Sequence, residues 1–289
     1  MNNVTLLNYN VHLFPPLLQF FANFKGDIIV KDNEIRCEKI IECLLKVSAD
    51  IICLSEIWYN HYARIIIDKT KKVYPYNYQP NIGMNILNGK FLGSGLLILS
   101  KYPLNCKFTK YDNLDGVDKY SQKGFIEAII NLPNKDICLF FTHNQASYYD
   151  NEYSDIILKN LFQLVNDIEL FKEKYPDKDI IVVGDFNIED DSNKYKILVK
   201  QLAKFGLKDI SYLNSEYTID NNNSLVHIFS NNKNKRVDYI FAPEKFNTNS
   251  LVLKKENKKD NNIAEFVYEK DGIVNDLSDH YPLLGRIMF

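Results

Sequence analysis

The stretch DIIVVGDFNI (residues 179–188) joins an apolar strand to a polar ending. Its first half is a run of β-branched residues, which is typical of a buried strand. Gly184 interrupts the run, and Asp185 and Asn187 follow with oxygen-bearing side chains. A buried strand that ends in such groups can hold them rigidly. Three structures fit these residue types: a calcium loop, a solvated turn and a catalytic metal site.

The calcium loop is tested first, because acidic and amide residues alternate from Asp185 to Glu189 as they do at the start of an EF-hand loop. Such a loop also needs glycine at its sixth position and glutamate at its twelfth, and a helix leads into it. Here Asp190 and Lys196 hold those positions, and a strand leads in. The EF-hand is therefore excluded. Residues 189–192 are interpreted as a solvated turn and the N-cap of a following helix.

The composition is that of a globular protein. The chain has 289 residues, of which 46% are hydrophobic and 25% charged, which is enough for a sizeable core. No internal repeat and no dividing linker is visible in the sequence, so we predict a single domain over residues 1–289. The formal net charge of −2 gives no global positive field toward nucleic acid, but leaves a local basic patch open.

Cysteine usage and the amino terminus bear on the compartment. Four of the five cysteines lie in apolar segments, and none has zinc-type spacing, which indicates reduced core residues. Met1 runs almost directly into an apolar strand, without the charged start of a secretory signal, and no apolar run is long enough to span a bilayer. We expect a cytoplasmic or peripheral membrane location, with secretion left open if a segment was removed before Met1. The four cysteines are Cys37, Cys43, Cys53 and Cys138.

Hydrophobic periodicity predicts strands and helices in an irregular alternation. The strands are rich in β-branched and aromatic residues, and the helices repeat apolar residues every three or four positions. Because some strands follow one another directly while helices separate others, we expect a mostly antiparallel pair of sheets with helices outside. The predicted strands are 4–11, 50–57, 93–100, 125–132, 137–143, 179–186, 237–242 and 281–289, the helices are 33–48, 152–175 and 194–206, and the long loops are 219–236 and 254–262.

Polar residues stand at the ends of six of these strands. Each alone has an ordinary explanation, such as a turn or a solvated strand end. That explanation fails for the whole set, because six strands would each need an unpaired polar end by accident. The residues are Asn10, Glu56, His143 after Thr142, Asp185 with Asn187, Asp238, and His280 after Asp279. They predict one common site.

The segments that carry these residues resemble motifs of the endonuclease/exonuclease/phosphatase superfamily, in the expected order along nearly the whole chain. They are NYNVHLF (8–14), ADIICLSEIW (49–58), GSGLLILSKYPL (93–104), SQKGFIEA (121–128), THNQA (142–146), VVGDFNI (182–188), RVDYIFA (236–242) and LSDHYPL (277–283). SKYPL, KGF and THNQA narrow the resemblance to the neutral sphingomyelinase-like branch. The resemblance implies an α/β fold of the deoxyribonuclease-I type. That fold is a four-layered sandwich of two packed mixed sheets flanked by helices, with the site at one open end.

Carboxylate and amide oxygens are typical ligands of a hard divalent cation, whereas zinc sites use mainly nitrogen and sulfur ligands. The motifs favour Mg²⁺, with Mn²⁺ or Co²⁺ as substitutes, and we expect one or two ions in the central site. The resemblance implies Glu56 as the principal ligand, with Asn10 opposite it. The full set of expected ligands is Glu56, Asn10, Asp185, Asn187, Asp279 and His280. Asp279 could instead orient its neighbour.

The resemblance also implies catalytic roles. His280 would be the general base for the attacking water, and Asp238 would hold its other ring N–H. Asp185 would hold the water or the metal, and Asn187 would donate to the phosphoryl group as charge develops. His143 would donate to a phosphate oxygen or to the leaving group.

Two further residues are candidates for substrate binding. Lys123 would reach the phosphate, or else be a solvated lysine at the entry to a strand. Trp58, the only tryptophan, matches a family position that lies beside the metal-binding glutamate and faces the membrane, or else it anchors the core. His12 and His227 lack motif support and are interpreted as structural, and His61 is expected at the surface.

The predicted reaction is metal-assisted hydrolysis of a phospholipid at a membrane surface by a monomeric enzyme, with sphingomyelin cleaved to ceramide and phosphocholine. The apolar stretch 13–24 either contacts lipid or covers the sheet. Secreted bacterial members insert an aromatic-tipped hairpin into membranes. The corresponding residues 253–272 are lysine-rich and have only Phe266 and Tyr268 as aromatic residues, which argues against insertion there.

Other functions stay open at this stage. A nuclease of the same superfamily needs a basic, aromatic-lined groove, for which a net charge of −2 and only four arginines give little support. A phosphoinositide phosphatase would carry a motif that the sequence lacks. A catalytically inactive binding module is disfavoured, because every expected catalytic position is filled.

Overall fold

The computed structural model describes residues 3–16, 32–80, 90–147, 152–211, 216–226, 234–254 and 264–289. In these residues the helices are α1 (Asn33–Val47), α2 (Asn60–Thr70), α3 (Ser154–Lys174) and α4 (Asn193–Ala203). The strands are β1 (Asn3–Leu13), β2 (Ile51–Ile57), β3 (Tyr76–Tyr78), β4 (Leu97–Ser100), β5 (Leu104–Lys110), β6 (Gly124–Leu132), β7 (Lys135–His143), β8 (Asp179–Asp185), β9 (Leu207–Asp209), β10 (Asp238–Pro243), β11 (Asn247–Val252), β12 (Val267–Lys270), β13 (Ile273–Asp276) and β14 (Leu283–Met288).

Most of the strands form two six-stranded sheets. The first has the order β11-β14-β1-β2-β4-β3 and the second β5-β6-β7-β8-β10-β9, while β12 and β13 form a separate ribbon. Side chains such as Leu6 and Ile181 fill the space between the sheets. Helices α1 and α2 pack on the outer face of the first sheet, and α3 and α4 on that of the second. The predicted four-layered α/β sandwich is thereby confirmed.

Each sheet has one parallel strand pair near its centre. These pairs are β1 with β2 and β7 with β8, and the other neighbours in both sheets are antiparallel. The carboxyl ends of all four strands meet at one end of the sandwich. There Asn10 contacts Asp185, and Glu56 lies beside His143. This arrangement gathers the polar strand ends that the sequence places far apart.

The eight predicted strands and three predicted helices all have counterparts, with shifts at their ends; the largest relative difference is at β4, which covers only the second half of the predicted strand 93–100. Ser192 caps α4 by accepting a hydrogen bond from the Tyr195 N–H, as the interpretation of that turn requires. Helix α2 and the strands β3, β5, β9, β11, β12 and β13 were not predicted from the sequence. Strands β3, β9, β12 and β13 have only three or four residues each, too few for a periodic signal. Strand β5 has seven residues that alternate in burial, so it carried a signal that the sequence prediction missed.

Of the residues 253–272 expected to replace the membrane hairpin, 255–263 lie outside the described residues, and Val267–Lys270 form β12 of the β12–β13 ribbon. Phe266 and Tyr268 are buried against the α1 side of the first sheet, where the Phe266 ring lies 5.2 Å from that of Tyr9. Ile273 and Val274 are exposed on the ribbon. His227 and most of the stretch 13–24 lie outside the described residues.

The cysteines are free, and all but Cys106 are buried, so the prediction that Cys37, Cys43, Cys53 and Cys138 are core residues is confirmed. Among the residues that the structure describes, no helix is both long and apolar enough to cross a bilayer.

The backbone at Gly184 gives the first testable prediction. Its φ is +146°, and a Cβ there would lie 1.9 Å from the Thr142 carbonyl oxygen of the neighbouring strand. We expect Gly184→Ala to cost about 3 kcal/mol or more of unfolding free energy, from strain and overpacking together. Gly206→Ala is the matched control, because its φ is +69° but no atom lies within 4 Å of the new Cβ.

The control should cost only about 1–2 kcal/mol, the penalty of the left-handed conformation alone. Urea unfolding of both variants measures the difference. Equal losses in the two variants would contradict the close strand contact at Gly184.

Candidate active site

Glu56 is the penultimate residue of β2, at the open end of the sandwich, and its backbone φ is +61°. Its Oε2 accepts a hydrogen bond from Trp58 Nε1 at 3.3 Å and lies 3.2 Å from His12 Nδ1. Its Oε1 lies 3.6 Å from His143 Nε2. Burial alone would raise the pKa of Glu56, but the neighbouring His12, His143 and Lys123 outweigh it and hold that pKa well below its usual range. Glu56 is therefore an ionised carboxylate with one oxygen held by donors.

Asp185 ends β8 and is 1% exposed. Its Oδ1 accepts the backbone N–H of Asn187 at 2.9 Å, and its Oδ2 accepts the Asn10 side-chain amide at 3.0 Å. Burial and the nearby Asp238 charge raise the pKa of Asp185 to about 7, against opposing effects of His280 and Asn10. A cation at this position would counteract both effects, because it favours the ionised carboxylate.

Asp238 and His280 form a buried pair. His280 Nδ1 lies 2.7 Å from Asp238 Oδ2, and the Asn8 amide donates to Asp238 Oδ1 at 3.0 Å. His280 Nε2 faces Asp185 Oδ2 at 3.9 Å. Burial opposes a charged ring, but the Asp238 carboxylate outweighs it and raises the pKa of His280 well above its usual value. With Nδ1–H assigned as the donor to Asp238, Nε2 is the nitrogen that faces the cleft.

His143 ends β7 and is fully buried. Neither ring nitrogen has a hydrogen-bond partner, although Nε2 lies 3.6 Å from Glu56 Oε1 and 3.7 Å from Asp185 Oδ2. Burial, together with the nearby Lys123 charge, lowers the pKa of His143 well below its usual value. A buried polar group without partners is costly unless a ligand satisfies it. The neutral ring therefore points to a ligand in this cleft.

The side chains of this cluster have the spacing and the chemistry to hold a divalent cation. Glu56, His143 and Asp185 each offer one atom, and the three atoms lie within 4.8 Å of one another; Asp185, Asp238 and His280 form a second such set. Carboxylate oxygens suit Mg²⁺, and an imidazole nitrogen also suits Mn²⁺ or Co²⁺. The unpartnered nitrogens of His143 fit the same conclusion.

Lys123 and Trp58 are both buried beside this cluster. Lys123 is 1% exposed and donates to Asp118 Oδ2 at 2.8 Å and to the Asn144 carbonyl at 3.1 Å, so the alternative of a solvated lysine is wrong. Trp58 is 7% exposed, and its ring lies 5.9 Å from that of His143. Its placement is that of a core anchor which also donates to Glu56.

The structure brings together most of the residues singled out in the sequence. The cluster contains Asn10, Glu56, His143, Asp185, Asn187, Asp238 and His280, with Lys123 and Trp58 beside it. Asp279 lies beside His12, with 3.4 Å between its Oδ1 and His12 Nδ1. His61 is exposed in the first turn of α2, as expected.

Sequence reasoning missed two members of the site. Asn8 contacts Asp238, and His12, which was interpreted as structural, contacts both Glu56 and Asp279. The signal that could have found them is their spacing. They lie two positions on either side of Asn10, so a regularly alternating strand would place all three on one face.

A comparison with protein families matches residues 7–280 to the family described as "Endonuclease/Exonuclease/phosphatase family". A relative named "Sphingomyelinase C 2" from Leptospira interrogans serogroup Icterohaemorrhagiae serovar Lai (strain 56601) is 25% identical, over 98% of this chain and 46% of its own length. A "Phospholipase C" from Staphylococcus aureus is 23% identical, over 97% of this chain and 86% of its own length. The predicted superfamily is confirmed, and these relatives carry the names of sphingomyelinases and phospholipases C. The chain spans about half the length of the Leptospira relatives that it matches.

A crystal structure of a Staphylococcus aureus beta toxin mutant with bound magnesium ions superposes with a TM-score of 0.75 at 19% identity. The match covers 98% of this chain and 99% of that one. At this identity the likeness shows the shared fold.

The raised pKa of Asp185 predicts a pH-dependent stability in metal-free protein. The unfolded carboxyl ionises near pH 4 and the folded one near pH 7, so stability should fall as pH rises through this window and then level off. Asp185→Asn removes the titrating group and should flatten that part of the curve. Urea unfolding at a series of pH values with a chelator present measures the slope.

Saturating Mg²⁺ is the control, and it should also flatten the wild-type curve, because a bound cation favours the ionised carboxylate. The same slope in metal-free wild type and in Asp185→Asn would show that other groups carry the dependence.

Proposed function

Because the chain belongs to the endonuclease/exonuclease/phosphatase family, we propose that it is a metal-dependent phosphodiesterase that acts on a phospholipid. The leading substrate is sphingomyelin, which would be cleaved to ceramide and phosphocholine. The names of the sphingomyelinase and phospholipase C relatives support this choice. One observation carries the proposal: the Asp238–His280 pair turns the free nitrogen of His280 toward the cluster of Glu56, His143 and Asp185.

In this proposal His280 is the general base. Its Nδ1–H is held by Asp238 at 2.7 Å, which fixes the ring and leaves the Nε2 lone pair for the proton of an attacking water. The Asp238 carboxylate stabilises the imidazolium that results, and in the metal-free protein it also raises the pKa of His280. A cation bound beside the ring would lower that pKa and favour the neutral form that accepts a proton. The proton can then leave through Nε2 without any movement of the ring.

The other polar side chains of the cluster would bind the metal ion or orient the phosphoryl group. Glu56, Asp185 and His143 would hold one Mg²⁺, with Mn²⁺ or Co²⁺ as substitutes. When bound, such an ion polarises a phosphoryl oxygen and stabilises the leaving oxygen. Asn187 uses one amide hydrogen on the Asn144 carbonyl at 3.2 Å, so its other hydrogen is available for a phosphoryl oxygen.

The buried Lys123 contributes through charge. It lies against Trp58 and is neutralised in part by Asp118, with 2.8 Å between Nζ and Oδ2. Its charge favours ionised Glu56 and neutral His143. We place the protein as a monomer in the cytoplasm or at a membrane surface, where its phospholipid substrate resides.

The test is a substrate panel with purified protein and Mg²⁺. The panel contains sphingomyelin in mixed micelles, lysophosphatidylcholine, phosphoinositides and abasic DNA. We expect phosphocholine release from sphingomyelin, and His280→Ala should lower the rate by about 10²–10⁴-fold, the usual contribution of a general base. His61→Ala is the matched control, because this histidine is exposed on α2.

Two results would contradict the proposal. Cleavage of duplex DNA with no action on any choline lipid would assign the site to a nuclease. Activity that persists in excess chelator would exclude the metal from the reaction.

A further inference from the structure

Three polar side chains follow one another along β1. Val4 and Leu6 pack between the two sheets, and Asn8 and Asn10 continue the same alternation toward the open end. His12 follows at an irregularity of the strand, where the register with β2 shifts between Asn10 and Leu13. Alternate residues of a strand share one face at a spacing of roughly 7 Å. The inner face of β1 therefore changes from apolar to polar as it enters the site.

Each member of this row contacts a different carboxylate. The Asn8 amide donates to Asp238 and the Asn10 amide to Asp185, both at 3.0 Å. Asp238 and Asp185 are themselves register partners on β10 and β8. The third member, His12, places Nδ1 3.2 Å from Oε2 of Glu56. Strand β1 thus contacts two carboxylates of the second sheet and the carboxylate of Glu56, which belongs to the first sheet.

We propose that Asn8 and His12 are positioning residues of the site: Asn8 fixes the Asp238–His280 pair, and His12 fixes Glu56 for cation binding. The effect on turnover rests on the proposed function. The effects on cation binding and on the His280 ring do not.

The case for Asn8 rests on its burial and on an unmet hydrogen bond. Asn8 is fully buried, and its Oδ1 has no partner. An unsatisfied buried oxygen costs stability, so an apolar residue would serve better here if packing were its only role. The Asn8 amide donates to Oδ1 of Asp238, while Oδ2 contacts His280. These two contacts fix the rotation of the carboxylate and the direction of the His280 ring.

The case for His12 rests on its unusual backbone conformation, which hydrogen bonds from Arg36 stabilise. Its φ is +48°, which is uncommon for a non-glycine residue. The buried Arg36 guanidinium donates to the carbonyls of Val11 at 2.7 Å and His12 at 3.0 Å, which holds this conformation. His12 and Trp58 both approach Oε2 of Glu56, so Oε1 is the oxygen left for a cation.

Calorimetric titration with Mg²⁺ tests the His12 assignment without any substrate. His12→Leu removes the donor at similar volume and should weaken Mg²⁺ binding about 10–100-fold, as loss of an orienting partner does. His12→Asn places an amide nitrogen near the Nδ1 position and should restore most of the affinity. Unchanged or tighter binding in His12→Leu would overturn this assignment, and so would failure of His12→Asn to rescue.

Two measurements test Asn8. Asn8→Ala should lower turnover about 10–100-fold with Mg²⁺ affinity unchanged. In metal-free protein it should also shift or broaden the low-field NMR signal of the His280 Nδ1 proton, which His280→Ala identifies. Val4→Ala is the control, because it lies buried on the same face of β1 and outside the site.

The outcomes separate the claims. An unchanged His280 proton signal in Asn8→Ala, or equal effects of Val4→Ala and Asn8→Ala on signal and turnover, would overturn the role of Asn8. If the wild-type protein hydrolyses none of the four test substrates, the proposed function fails. The calorimetric and NMR results would still decide the positioning roles.

Discussion

The hydrogen bonds from the Asn8 and Asn10 amides to Asp238 and Asp185 are the contacts on which the rest of the site depends. They cross from the first sheet to the second, next to the apolar side chains that pack between the sheets. Two buried carboxylates side by side repel each other, and the amides together with His280 offset that repulsion. The same contacts fix the positions of the charged side chains at the open end of the sandwich.

The fold was predictable where one element carried its own signal. Strand β8 is a continuous apolar run and α3 has a clear helical period, so both were found from the sequence. Strand β12 has only four residues, and Tyr268 within it is buried because α1 lies beside the ribbon. Such burial is a tertiary effect, and neither local periodicity nor resemblance to an aromatic-tipped hairpin could supply it.

The residue types of the site could be predicted from their places at strand ends. The hydrogen bonds and ion pairs that connect these residues were less predictable. The sequence pointed to Glu56 and Asp185, but the position of His12 depends on its left-handed backbone and on the carbonyl contacts of Arg36. The burial of Lys123 follows from its ion pair with Asp118, which a loop separates from the strand. These features arise from three-dimensional contacts between segments, for which spacing in the sequence gives no direct signal.

The central claim is that the cluster of Glu56, His143 and Asp185 holds a divalent cation. Anomalous diffraction from crystals soaked in Mn²⁺ tests it most directly, because that ion can replace Mg²⁺ at oxygen-rich sites. The account predicts an anomalous peak at coordination distance from Oε1 of Glu56, and its absence in Glu56→Gln crystals soaked in the same way. Peaks confined to other parts of the molecule would contradict it.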